Sequence, residues 1–425
     1  MTTFLLCPFV AMAGSAKKAT PPEPPRVRAT VQPAFTIPVE PLGFTAPASF
    51  YLGTRVSVAS LDFLDENHLL FTFRVPGLIH RDPRDLSGSD PGQERQIRAL
   101  VLRLPDGTVQ AETVWTLHDR RRYLWMLDDG RFILRDRDEL KLGDASLQLK
   151  PFLRFPGPVL WVEMDPNRKY LVTGSSEPPT SASRTGDVPA AAANASLVSD
   201  DQKPDSDEPD LILRILRRDS GKVMLVSHIH SAVHLPINAD GYLETLRGEG
   251  KSAWLINLDH FDGGSTLLGS VSSFCSPMLE FVSSREFMAT TCDSNGNPHL
   301  VAMSTDGHRL WEAGGAGSSV WPRLVVGMDG SRIARESLMT SHDVNAFAPL
   351  GTDDIKGQDV QVFDTATGKL TLRAQASPVL DAGGNVAISP SGRRVAIIMA
   401  DGIQIFDLPQ APPLPANAPA PSKHE

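Results

Sequence analysis

The sequence predicts an all-β protein, a β-propeller of seven four-stranded blades whose ring is closed by a strand from near the N-terminus. Three observations predict it. Most apolar runs are four to seven residues long and end in Asp, Gly, Asn, Ser or Pro, as strands do. A unit of apolar strand, short polar turn and second apolar strand recurs seven times. Each copy is followed by more strand-like sequence, which brings the unit to four antiparallel strands, and such units repeated radially make a propeller. The 33 glycines and 35 prolines of this 425-residue chain suit many tight turns.

The seven hairpins occupy residues 58–73, 121–136, 159–174, 233–248, 277–292, 322–337 and 384–399. Their turns centre near Asp65, Asp129, Pro166, Asp240, Ser283, Asp329 and Ser391. Asp-Gly, Ser-Gly and Asp-Pro-Asn in these places accept positive φ or start a tight turn. Third strands follow at 97–104, 211–218, 252–258, 298–304, 358–364 and 403–408, and fourth strands at 108–116, 222–230, 308–313 and 369–375. In the second blade the outer part falls to residues 144–155. The last copy lacks one strand, and the natural donor is residues 34–44 or 48–53. Such closure removes an exposed edge and ties the two ends of the ring together.

Residues 358–408 carry a family resemblance. Val362-Phe363-Asp364-Thr365-Ala366-Thr367-Gly368-Lys369, Ile388-Ser389-Pro390-Ser391-Gly392-Arg393-Arg394-Val395-Ala396 and Ile405-Phe406-Asp407-Leu408 resemble the WD-repeat-like and YVTN-type β-propellers of bacteria. In that superfamily the first pattern is a third strand with its turn, and the second is the inner hairpin. Phe363-Asp364 and Phe406-Asp407 stand where Trp-Asp stands in strict WD repeats. The resemblance implies an architecture, not a function. Some bacterial propellers of similar repeat type are lactonases, hydrolases or quinone-dependent dehydrogenases, with the site at the channel mouth.

The domain reading is a signal peptide over 1–16, a Pro-rich linker over 17–33, the propeller over 34–408 and a disordered Pro/Ala-rich tail over 409–425. Phe4 to Ala13 is an apolar run of signal-peptide length with small residues after it, although no Lys or Arg precedes it. The expected location is periplasmic or secreted, with no transmembrane segment in the mature chain. Residues 175–210 are rich in Pro, Ser, Ala and Asp, cannot bury enough surface to offset their ordering entropy, and read as a disordered insertion in blade three. The net charge of −9 argues against a nucleic-acid partner, because phosphate binding needs a concentrated cationic surface.

Few residues are singled out for chemistry. His228, His230 and His234 form the most ligand-like cluster, since imidazoles two apart on a strand share a face. No carboxylate or cysteine completes a set nearby, so strand-edge histidines are the plainer reading. Cys275 and Cys292 are symmetric about Ser283-Ser284, which places them opposite each other as a possible disulfide. Neither has a basic neighbour, so no catalytic thiol is expected. The Asp-Gly pairs at Asp106, Asp129, Asp240, Asp262, Asp306, Asp329 and Asp401 read as turn chemistry. The chain lacks a nucleophile elbow, an H-E-x-x-H motif, a P-loop and a dinucleotide fingerprint, and no cofactor is expected. The sequence therefore predicts a non-catalytic binding or scaffolding module for a protein or envelope glycan. The alternative is a periplasmic enzyme with its site at the central channel.

Overall fold

The computed structural model describes residues 29–45, 59–75, 80–81, 93–118, 122–177, 210–231, 233–315, 321–342, 354–380, 384–399 and 402–412. The predicted signal peptide and most of the insertion and tail lie outside them. So does the alternative closing segment at 48–53.

Seven antiparallel sheets follow one another along the chain. Blade one comprises Ala59–Phe63, His68–Arg74, Gln93–Arg103 and Thr108–His118, with the two-residue strand His80–Arg81 added on Gln93–Arg103. Blade two comprises Leu124–Met126, Phe132–Asp136, Glu139–Gly143 and Lys150–Arg154. Blade three comprises Val159–Met164, Tyr170–Glu177, Asp210–Arg217 and Val223–Ile229. The ladder thus runs to Glu177 and resumes at Asp210, so the chain outside it is shorter at both ends than the 175–210 read from composition.

Blade four has three laddered strands, Gly241–Arg247, Ala253–His260 and Ser265–Ser272. Its inner segment, 233–238, is joined to them by a single bridge, Ile237 to Tyr242. Pro236 has no N–H to give a ladder, and the amide of Leu235 donates instead to Glu163 Oε2 at 2.9 Å. The hairpin expected over 233–248 is thus present, closed by one bridge in place of a ladder. Blade five comprises Met278–Phe281, Glu286–Cys292, Pro298–Ser304 and Arg309–Ala313. Blade six comprises Arg323–Val326, Arg332–Thr340, Ile355–Asp364 and Leu370–Ala376. Blade seven has Val386–Ile388, Arg394–Met399 and Gly402–Asp407 from the C-terminal region and Phe35–Ile37 from the N-terminal region.

Closure is therefore by residues 34–44, the first of the two predicted donors. Phe35, Thr36 and Ile37 lie opposite Ile405, Gln404 and Ile403. Beyond this strand, Phe44 sets its ring edge-on against Phe71 and Phe73 of blade one, 5.4 Å from each.

The core is divided as a propeller requires. Strand side chains alternate between faces, so each sheet offers one apolar face to the blade before it and one to the blade after it. Seven buried clusters result, one at each junction between neighbouring blades. The one that seals the ring joins Ile403 and Ile405 of blade seven to Leu61, Phe71 and Leu100 of blade one, with Ile37 among them. No described helix is long and apolar enough to cross a membrane.

Candidate functional site: the central channel

The inner segments of the seven blades together enclose a channel of about 640 Å³ lined by residues of all seven. Inner-strand alternation explains its polarity. Leu61 and Phe63 turn into the blade core while Ser60 and Asp62 face the other way, and in blade five Leu279 is buried while Glu280 reaches the wall. Three tryptophans, Trp125, Trp161 and Trp321, also line it. The Trp161 ring lies across the neighbouring strand at its register partner Gly174, where a Cβ would stand 2.0 Å from the ring. Glycine is the residue that leaves this ring its place.

Two groups of charges meet in the channel. The first is centred on His234. Its Nδ1 lies 2.8 Å from Glu163 Oε1 and its Nε2 lies 2.5 Å from the carbonyl oxygen of Leu279. Both ring nitrogens thus face acceptors, which only the doubly protonated imidazolium can satisfy. Burial opposes that charge, but the hydrogen bond and charge of Glu163 and the charge of Glu280 outweigh it and raise His234 to about 10. This imidazolium links the inner strands of blades three and five through the irregular inner segment of blade four.

The second group comprises Arg122, Arg168 and Arg323 with Asp62 and Glu280. Burial raises Asp62 to about 6 against the pull of Arg122, a 2.5 Å hydrogen bond from Ser60 Oγ, and the charges of Arg323 and Arg168. Burial likewise raises Glu280, with His234, Arg168 and Arg122 holding it down and Glu163 pushing it up. Burial and repulsion from Arg323 and Arg168 lower Arg122 to about 10. Behind Arg323 lies its register partner Glu336, which burial raises to about 7.

Arg168 is held in an unusual way. It sits in the turn of the blade-three hairpin at φ +57°. The corresponding turn residues of blades two, six and seven are glycines, Gly130, Gly330 and Gly392, at φ +74°, +71° and +68°. A side chain in this left-handed region costs on the order of 1–3 kcal/mol where glycine costs nothing.

The residues singled out in the sequence are placed as follows. His228 lies on the outer strand of blade three, opposite Ile212, with His230 just past its end. His234 is at the channel, so the three do not come together. No group of three His, Cys, Asp or Glu with metal-site geometry exists among the described residues. Cys275 and Cys292 do meet, with Cα atoms 5.7 Å apart and sulfurs at bonding distance. The register differs from the symmetric one: Met278 pairs with Thr290 and Phe281 with Phe287, which would set Cys292 opposite Ser276. The two meet because the chain before Met278 leaves the ladder and bends, the Phe274 amide donating to the Cys292 carbonyl at 3.1 Å. Of the insertion read over 175–210, only residues 175–177 and the backbone of Asp210 are described. The turn reading of the Asp-Gly pairs holds at Asp106, Asp129, Asp262, Asp306 and Asp329, each followed by a glycine at positive φ.

The strand ladders and the channel define the chain as a seven-bladed β-propeller, the architecture that the sequence resemblance implies. No family model and no curated protein matches it. Among solved structures it is similar to the C-terminal WD40 domain of Sif2, at 11% identity and TM-score 0.41 over 86% of this chain and 100% of that one. It is similar to Pyrococcus horikoshii acylaminoacyl peptidase at 9% identity and TM-score 0.45, over 85% of this chain and 54% of that one. It is also similar to TolB from Acinetobacter baumannii, at 15% identity and TM-score 0.35 over 78% of this chain and 79% of that one.

Proposed function

We propose that this protein is a non-catalytic binding or scaffolding propeller of the periplasm or the secreted fraction, and that it recognises a protein or envelope glycan at its central channel. The observation that carries this reading is the channel itself. Its wall combines three tryptophans with fixed cationic and anionic groups drawn from separate blades. Aromatic faces with a few oriented polar groups are what a recognition pocket needs. Ring closure holds those groups rigidly, so little ordering cost is added on binding. Export is supported by the apolar N-terminal run and is compatible with the juxtaposed Cys275 and Cys292.

One observation favours the enzyme reading. Asp62, at about 6, is a carboxyl group poised near neutrality in a channel, as a general acid or base would be. The two readings separate in one set of measurements. The mature protein is used to capture partners from envelope extract, with metal analysis and lactonase, esterase and dehydrogenase assays on the same sample. The binding reading expects capture that Trp321→Ala reduces by about tenfold or more, and no turnover. Turnover that Asp62→Asn abolishes while capture persists would establish the enzyme instead.

A further inference from the structure

The channel wall is cationic in an acidic protein. Four of its groups carry positive charge, Arg122, Arg168, Arg323 and the His234 imidazolium, against three carboxylates, Asp62, Glu163 and Glu280. Within that lining the cations outnumber the carboxylates by one, with Glu336 behind Arg323 outside it, while the chain as a whole carries −9. The carboxylates also have partners of their own, although Asp62 and Glu280 attract the arginines as well. Glu163 holds His234 and the Leu235 amide, Asp62 accepts from Ser60, and Glu280 lies 3.4 Å from His234. Burial first, and then the charges of Arg323 and Arg168, lower Arg122.

Two donors on the blade-three wall have no acceptor among the described residues. The Nε of Arg168 and the Nε1 of Trp161 are both buried without a hydrogen-bond partner among the described residues. Buried donors are normally satisfied. Their missing complement is an acceptor, and beside three guanidinium groups the fitting acceptor is an anionic oxygen.

Arg168 supplies an independent argument. Three other blades place glycine in its turn position, and this blade keeps a long cationic side chain there against the backbone preference. A residue retained in a strained conformation at a cavity points to a role in that cavity.

We propose that the channel binds an oxyanion, a carboxylate or phosphate group carried by the ligand, between the guanidinium groups of Arg122, Arg168 and Arg323. This rests on the channel being the recognition site and names the chemistry that it recognises. An acidic side chain, a chain terminus and a phosphorylated or uronic-acid glycan all carry such a group.

Arg168→Gly tests it, because a structural arginine and a ligand-binding arginine predict opposite outcomes. Inorganic phosphate and acetate are titrated into the full protein by calorimetry and thermal shift, with sodium chloride at matched ionic strength as control. The proposal expects saturable binding of at least one of the two oxyanions and no comparable effect of chloride. It expects Arg168→Gly to weaken binding by about tenfold or more, with a melting temperature equal to or above that of the parent. The phosphate and acetate arms separate the two sources of the group. No saturable binding of either anion, or unchanged affinity in Arg168→Gly, overturns the proposal. Partner capture that persists in that case leaves the binding-module reading standing without the oxyanion, whereas loss of capture as well removes both.

Discussion

Glu286 stands at a position that two other blades use for an ion pair. At the start of the second strand, Arg332 in blade six lies opposite Asp364, and Arg394 in blade seven lies opposite Asp407, each forming a salt bridge across the ladder. In blade five the same pair is Glu286 and Ser304. Glu286 is 2% exposed, and neither carboxylate oxygen has a hydrogen-bond partner among the described residues. Burial alone raises it from 4.5 to about 8. The folded protein therefore holds a proton at neutral pH that the unfolded chain has released. Stability then falls as pH rises from about 4.5 to about 8. Glu286→Gln removes the titration. Its melting temperature should exceed that of the parent at pH 9 by the equivalent of a few kcal/mol, and the gain should shrink toward pH 4.5. Equal pH profiles for the two proteins would show that Glu286 is ionised in the fold.

At the scale of an element, the blade-five hairpin brings Cys275 and Cys292 together outside the ladder. We propose that they are bridged in the exported protein. A bridge over a sequence separation of 17 residues is worth about 3 kcal/mol through loss of freedom in the unfolded chain. Reductant, or Cys275→Ser with Cys292→Ser, should lower the melting temperature by several degrees. Alkylation of both thiols in unreduced, denatured protein sinks the idea. The sequence anticipated this meeting but not its cause. Equal spacing about the turn suggested cross-strand partners, whereas the true register is offset and a bend upstream of Met278 makes the approach. Blade four shows the same limit. Val233 to Ile237 reads as an inner strand by its apolar residues, yet Pro236 and the pull of Glu163 on the Leu235 amide prevent a ladder.

At the scale of the whole molecule, seven clusters among the described residues bury the core, each chiefly between two neighbouring blades, so the ring depends on every junction. Ile37 sits at the seam, 3% exposed, and packs against Gly107 of blade one and strand partner Ile403 of blade seven. Ile37→Ala should cost about 2–5 kcal/mol, read as one cooperative transition at lower denaturant concentration. A loss confined to blade-seven signals, with the other six blades unfolding as before, would mean that the seam does not hold the ring.

The sequence by itself determined the class of fold, because two-residue alternation and turn chemistry are local and each hairpin carries both. It placed the seven turns and offered two closing segments, 34–44 and 48–53, since the last unit visibly lacked a strand; the structure uses the first. Tertiary structure alone decided the site. Asp62, Glu163, Arg168 and Glu280 each look like an ordinary polar position on a strand or turn, and His234 looked like the end of a histidine run. They become a site only when strands far apart in the chain are set around one axis. No spacing within a single blade records which side chains of the others will face it.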